Sequence, residues 1–173
     1  MTAKNENEEK VTGLPEQEVI EQTEEQLIEG LLFAAEAKYS DDEQKIINIK
    51  RNGRVAFSLR IRPLSEDELM RIRKSSTPTY ANPANKKLKI EGELRYGEFR
   101  SKKIYEATVP EKSGQKIWDN PTLKAKFNAK GFDIIESWEL IDKVLLAGEK
   151  DAVSDLIDNL SGYDVDLTEY AKN

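Results

Sequence analysis

The chain contains no cysteine and no histidine. Without cysteine there is no disulfide, no thiolate nucleophile and no cysteine-held zinc or iron–sulfur centre. Without histidine the commonest general base and the commonest metal ligand are gone, and with them H-E-x-x-H and Ser-His-Asp chemistry. A metal would have to be a hard ion held by carboxylates. The glycine-rich phosphate cradles G-x-x-x-x-G-K-[ST] and G-x-G-x-x-G are missing too. No apolar run approaches the roughly 18 residues of a membrane span; the longest, 31–35 and 144–147, are core-sized. The opening "MTAKNENEEKVTG" lacks the basic and apolar regions of a signal peptide. These absences point away from the usual catalytic, cofactor and metal chemistries and from a membrane span, and they favour the cytoplasm of a bacterium or a comparable compartment.

What is present is charge, and it is unevenly placed. Residues 1–29 carry −7 and residues 133–173 carry −8, leaving +9 in residues 30–132 of a chain whose total is −6. An acidic–basic–acidic layout can attract its own ends, other copies of itself, or a partner of opposite layout. Nucleic acid is disfavoured, because the acidic ends screen the basic middle. Two carboxylate clusters, Asp41-Asp42-Glu43 and Asp164-Val165-Asp166, read as solvated approaches to a strand and a tail. Paired-carboxylate catalysis would need two such groups facing one cleft. "DNLSGYDVDLTE" fails as a calcium loop, because Leu160 and Gly162 fall where ligands are needed.

Apolar spacing predicts a helix running from Val19 through Ile20, Leu27, Ile28, Leu31, Leu32 and Ala35, with Pro15 able to open it. It is acidic early and apolar late. Its late face (Leu27, Ile28, Leu31, Leu32, Phe33) is either core or a partner-binding surface.

Val55, Phe57, Leu59 and Ile61 then alternate with polar residues as a half-buried strand, and Asn52-Gly53 marks a hairpin. A two-residue turn sets Ile49 opposite Ala56. A three-residue loop with Gly53 at a bulge sets Ile49 opposite Val55 and Ile47 opposite Phe57. The second register keeps one face apolar and is the one expected. The other face then gathers Lys50, Arg54, Arg60 and Arg62 as a second candidate binding surface.

Ser65 and Glu68 form a capping box for the next helix, with Leu64 stapling against Leu69. "SSTPTYANPANKKLKIEG" reads as a long mobile connection. Leu94, Phe99, Ile104 and Ala107 resume a helical pattern. Asn120-Pro121 opens a short helix that Gly131 stops, and Ser137 is expected to cap another beginning at Trp138. Trp118, Trp138 and Phe127 read as core or inter-helix contacts. Ile141, Val144 and Leu145 lie on a stripe that a straight helix would hold roughly 90–120° from that of Val153, Leu156, Ile157 and Leu160. Two helices are therefore expected, with Gly148 as a left-handed C-cap, Glu149 opening the second helix and Gly162 closing it.

The fold class expected is α+β: an N-terminal helix and an antiparallel β-hairpin, then a mostly helical C-terminal bundle. The segments read as a disordered acidic tail (1–13), a helix–hairpin–helix unit (14–74), a mobile basic linker (75–92), a helical subdomain (93–163) and an acidic tail (164–173).

Four stretches carry a family resemblance. They are "FSLRIRPLSEDELMRIRK" (57–74), "KKIYEATVPE" (102–111), "NPTLKAKFNAKG" (120–131) and "LLAGEKDAVSDLIDNLSGY" (145–163). In this order and spacing, over about residues 30–163, the chain resembles the tail assembly chaperones of Gram-positive phages and PBSX-like prophages. The long acidic N-terminus and "TYANPANKKLKIEG" depart from that pattern. The resemblance implies a non-enzymatic protein that coats the tape measure protein, keeps its long apolar helix soluble, and leaves as tail tube protein polymerises. It implies absence from the finished virion and, in many phages, a longer product made by −1 frameshifting. A structural component retained in the particle, or a nucleic-acid-binding regulator using the basic hairpin face, are the alternatives.

Overall fold

The computed structural model describes residues 23–37 and 43–163. The expectations for residues 1–22 (the acidic tail, Pro15, Val19 and Ile20), for Asp41 and Asp42, and for 164–173 lie outside them. The described chain is an N-terminal helix, a two-stranded antiparallel sheet and a mostly helical C-terminal region, as the α+β reading expects. It divides into two units, with the first helix largely in one and residues 36–165 forming the other. Among the described residues no helix is long and apolar enough to cross a membrane.

The first unit contributes α1 (Glu24–Ala37). A capping box that the sequence reading missed starts it. Thr23 N–H donates to Gln26 Oε1 at 3.0 Å, and Gln26 N–H donates to Thr23 Oγ1 at 3.3 Å. No residue of α1 is buried.

The second unit opens with β1 (Lys45–Arg51) and β2 (Arg54–Ile61). Their register corrects the expected one. Asn52 (φ 49°) and Gly53 (φ 76°) are both left-handed, which makes a two-residue type I′ turn. Ile49 pairs with Phe57 and Ile47 with Leu59, and the ladder shifts between Ile49 and Lys50, leaving Ala56 as an extra residue. The bulge lets the tight turn coexist with an apolar inner face, an option that an unbroken ladder does not offer.

Ser65 caps α2 (Glu66–Ser75) in the expected box with Glu68. The segment expected to be a mobile connection carries a second hairpin, β3 (Thr79–Ala81) with β4 (Lys89–Glu91). Asn82 and Asn85 each accept a backbone N–H two residues on, which shapes the loop. A Cβ at Gly92, beside this hairpin, would lie 2.6 Å from the Tyr80 ring and 3.2 Å from the Pro78 carbonyl oxygen, so a larger residue there would force a shift. Strands of three residues are too short to display a period of two in sequence.

α3 (Tyr96–Ala107) is the centre of the second unit and packs on α2, α5 (Glu139–Val144) and α6 (Ala147–Leu160). One apolar core joins Ile49, Leu59 and Ile61 of the hairpin to Ile72, Ile104, Leu140, Ile141 and Ile157. It therefore spans residues that the sequence reading places in separate segments, 14–74 and 93–163. Trp118 is buried, and its indole N–H donates to Thr108 Oγ1 at 2.9 Å. Trp138 is half-buried, with Lys102 Nζ 5.4 Å from its ring centroid. Phe127 packs against the core and against the Phe132 ring.

α4 (Pro121–Ala129) has Asn120 as N-cap and Pro121 at its first position, and it ends at Gly131 (φ 83°), all as expected. Ser137 does not cap α5. Trp138 holds the N-cap position in αR conformation, and Glu139 instead accepts N–H bonds from Ile135 and Glu136.

The corner between α5 and α6 exists, but Gly148 does not make it. Leu145 (ψ 139°) and Leu146 (ψ 156°) are extended and form the turn, while Gly148 lies in the first turn of α6. Glu149, at the third position, accepts the Leu146 N–H at 2.8 Å and so fixes where the helix starts. Gly162 (φ 89°) ends α6 as expected: its N–H reaches Asn159 O and the Tyr163 N–H reaches Asp158 O, the Schellman pattern.

Candidate partner-binding surfaces

The first surface is α1 itself. At 3.6 residues per turn, Leu27, Ile28, Leu31, Leu32 and Ala35 fall within about 140° of one another, while Phe33 falls about 170° from the centre of that stripe. Of the five residues expected to form this face, four share it and Phe33 stands apart. The four are 49–63% exposed, and Phe33 is 74% exposed. Glu25, Glu29 and Glu36 form a row along one flank of the stripe, and α1 has no basic residue.

The second surface is the outer face of the β1–β2 hairpin. The expected basic group does not stay together. Lys50 and Arg60 lie in the same alternating row as Ile46, Asn48, Ser58 and Val55. Arg54 is paired opposite Arg51. Arg62 turns to Glu68, with Nη2 at 2.7 Å from Oε1, and also donates to Pro63 O and Glu106 O. What remains is a mixed face: two cations beside exposed Ile46 and Val55, with Ser58 donating to Asn48 at 2.6 Å between them. The expected register would have kept the cations in one row; the bulge separates them.

Arg62, which leaves this face, and several charged groups elsewhere in the second unit hold elements together. Arg62 keeps the Glu68 carboxyl down at about 2, with help from the Ser65 N–H and hydroxyl and against the opposing effect of burial. Arg51 grips Glu149 through both guanidinium nitrogens and donates to Val144 O at 2.9 Å, which ties the hairpin tip to the α5–α6 corner. Glu149 is lowered by that contact and by the Leu146 N–H. Arg51 and Glu149 are 98 residues apart, and no local signal in the sequence pairs them. Lys103, 2% exposed, reaches from α3 to Asp158 Oδ2 at 2.6 Å and Ser154 Oγ at 2.8 Å on α6. Burial and a hydrogen bond to Asp119 push the Tyr105 hydroxyl up to about 12. Burial lowers Lys116, which donates to the Tyr105 and Glu106 carbonyls at the end of α3.

A third surface was not anticipated. An open groove of about 890 Å³ lies between α2 and the β3–β4 hairpin, lined by Met70, Arg71, Arg73, Lys74, Thr77 and Thr79 with Asp67 and Glu91. In sequence its cations read only as dipole-favoured residues of a last helical turn. Among the described residues, no group of three or more acidic side chains is placed to hold a metal ion.

Residues 28–173 match the family model described as phage XkdN-like tail assembly chaperone protein. No curated protein and no solved structure matches the chain.

Proposed function

The chain belongs to the phage XkdN-like tail assembly chaperone family, and from that premise we propose that it binds and solubilises the tape measure protein during tail morphogenesis. The observation that carries this reading is the uncovered stripe Leu27, Ile28, Leu31 and Leu32 on a helix that buries nothing. A long apolar helical client offers a matching surface, and helix-on-helix contacts use anchors at this spacing. Ile46 opposite Arg60 and Val55 opposite Lys50 provide a second, mixed contact, and Phe33 can serve a different neighbour from the stripe. Tail tube protein is a second partner in this reading. The protein acts without catalysis in the cytoplasm of the bacterial host and leaves before the virion is complete.

Co-expression with the tape measure protein tests the proposal. The client is expected in the soluble fraction and in the pull-down only when this chain is present. Leu31→Asp removes one anchor of about 2 kcal/mol, so client affinity should fall about 30-fold. Client solubility that is the same with and without the chain sinks the proposal. Mass spectrometry of purified particles separates it from a retained structural component, which would be found there in tail stoichiometry.

A further inference from the structure

The outer face of α2 carries its charges in a symmetric order. Glu66 and Asp67 stand four and three residues before Met70, and Arg73 and Lys74 stand three and four residues after it. Residues seven apart in a helix differ by only about 20° in direction. Glu66 therefore shares one side of α2 with Arg73, and Asp67 shares the other with Lys74, while Met70 falls midway between the two rows. All five are exposed, Met70 by 58%. Open grooves flank α2 on both sides, and Met70 and Arg73 line both, so this face stands clear of the elements packed beside it in the second unit. Two further exposed charges, Arg71 and Glu91, line the groove on the hairpin side. The patch is thus neutral as a whole, with Arg71, Arg73 and Lys74 against Glu66, Asp67 and Glu91. None of these six is in an ion pair among the described residues.

We infer that two copies of the chain pair through this face, with their α2 helices antiparallel and a two-fold axis at Met70. The two-fold operation keeps each row on its own side and reverses its direction. Glu66 then lies across from Arg73 of the second copy, and Asp67 across from Lys74 of the second copy, each within about 1.5 Å along the helix axis. The symmetry repeats both pairs around a contact between the two Met70 side chains. The helix dipoles run in opposite directions, so each acidic first turn meets a basic last turn. Neutrality selects a copy of the chain as the occupant. An acidic segment or a nucleic acid would meet Glu66, Asp67 and Glu91, and a basic segment would meet the three cations. The complementarity lies wholly within residues 36–165, so it does not depend on where α1 sits. One ten-residue helix against its copy is smaller than a standard interface of about 1,200–2,000 Å², so the dimer is weak, with a dissociation constant of about 10–100 µM. For the client proposed above, such a dimer supplies two copies of α1.

The test uses the full chain without a client, so its outcome is independent of the function proposed above. Sedimentation equilibrium from about 5 µM to about 500 µM should show the mass rise from 19.7 kDa toward twice that value. Asp67→Lys places lysines face to face at both ends of the contact, and Lys74→Asp places aspartates there, so each variant alone should associate about 10-fold more weakly. Mixed in equal amounts, the two should form a 1:1 dimer at about wild-type affinity, because the pairs at positions 67 and 74 are again opposite in charge. Met70→Lys leaves both helix ends untouched and should be monomeric throughout. All three positions are exposed, and circular dichroism with a melting curve will confirm that each variant is folded. A wild-type monomer at about 500 µM overturns the inference, and α1 of the same chain lying over this face would give that result. So does a dimer that survives in the single variants, and so does a mixture that associates no better than its parts.

Discussion

α1 and α6 are both fourteen residues long, and the more apolar of the two is the one that buries nothing. α1 has Leu27, Ile28, Leu31, Leu32, Phe33 and three alanines, yet every one of its large side chains is about half or more exposed. α6 carries more charge, and it buries Val153, Ser154 and Ile157. Apolar content therefore does not decide burial here. α6 is fixed at its start by Glu149 in the grip of Arg51, along its length by Lys103 of α3, and at its end by Gly162. α1 has its own capping box and nothing buried. A helix stabilised by tertiary packing and a helix that buries none of its residues thus occur within one chain.

The sharpest way to break that contrast is to truncate each helix at its apolar centre. Ile157 is fully buried, so Ile157→Ala should cost about 2–5 kcal/mol in urea unfolding. Leu31→Ala should change stability by less than about 0.5 kcal/mol, because no cavity forms at an exposed site. Equal costs at the two sites would show that α1 is packed in solution.

The buried lysine sharpens the comparison from the polar side. Asp158→Ala leaves the buried Lys103 ammonium with Ser154 and the face of the Phe99 ring but no counter-charge, and it should cost about 2–3 kcal/mol. Asp158 is partly exposed, which keeps the figure below that of a fully buried pair. Lys103→Met removes the charge along with its need for a partner, so it should cost less than Asp158→Ala. Chemical denaturation of the two variants settles the order, and the reverse order would contradict this account of the α3–α6 contact.

A pH series probes the second unit at the start of α2. The Glu68 carboxyl is held at about 2 against an ordinary 4.5, chiefly by its hydrogen bond with Arg62. A depressed folded-state value means that the group stabilises the fold above about pH 4.5 and loses that contribution as pH falls toward 2. The contact is partly open to solvent, so the loss should be about 1–2 kcal/mol. Glu68→Gln should flatten the stability curve through that window; a curve of unchanged slope would remove the Arg62–Glu68 contact as a source of stability.

What was legible in the sequence was local. Ser65 with Glu68, Asn120 with Pro121, Gly131 and Gly162 announce helix ends through chemistry that acts within a turn, and the structure places those ends where they are announced. The apolar period of α1 and the alternation of β2 are local for the same reason. What was not legible depended on distant pairing. The β1–β2 register turned on a bulge at Ala56, which no residue type there signals. The second hairpin was hidden by its short strands. Arg51 with Glu149 and Lys103 with Asp158 join residues 98 and 55 apart, and these pairs bring the hairpin and the helices onto one core. Of the candidate surfaces, the α1 stripe could be read as a pattern apart from Phe33, whereas the basic hairpin face dissolved once the register was known.

The smallest effects fall on two glycines at opposite ends of α6. Gly162 has φ +89°, a conformation that costs a residue with a Cβ about 1 kcal/mol, and its N–H closes the helix on Asn159 O. Gly162→Ala should therefore destabilise by about 1 kcal/mol. Gly148 sits in helical backbone in the first turn, and an added Cβ meets nothing within 4 Å. Gly148→Ala should leave the fold unharmed and stabilise it by about 0.5–1 kcal/mol, through lower unfolded-state entropy and better helix propensity. Had Gly148 been the left-handed cap that its position in "LLAGEKD" suggests, the two substitutions would carry the same sign. Opposite shifts in melting temperature would place the corner on Leu145 and Leu146, with Glu149 setting where α6 begins; matching losses would move it back to the glycine.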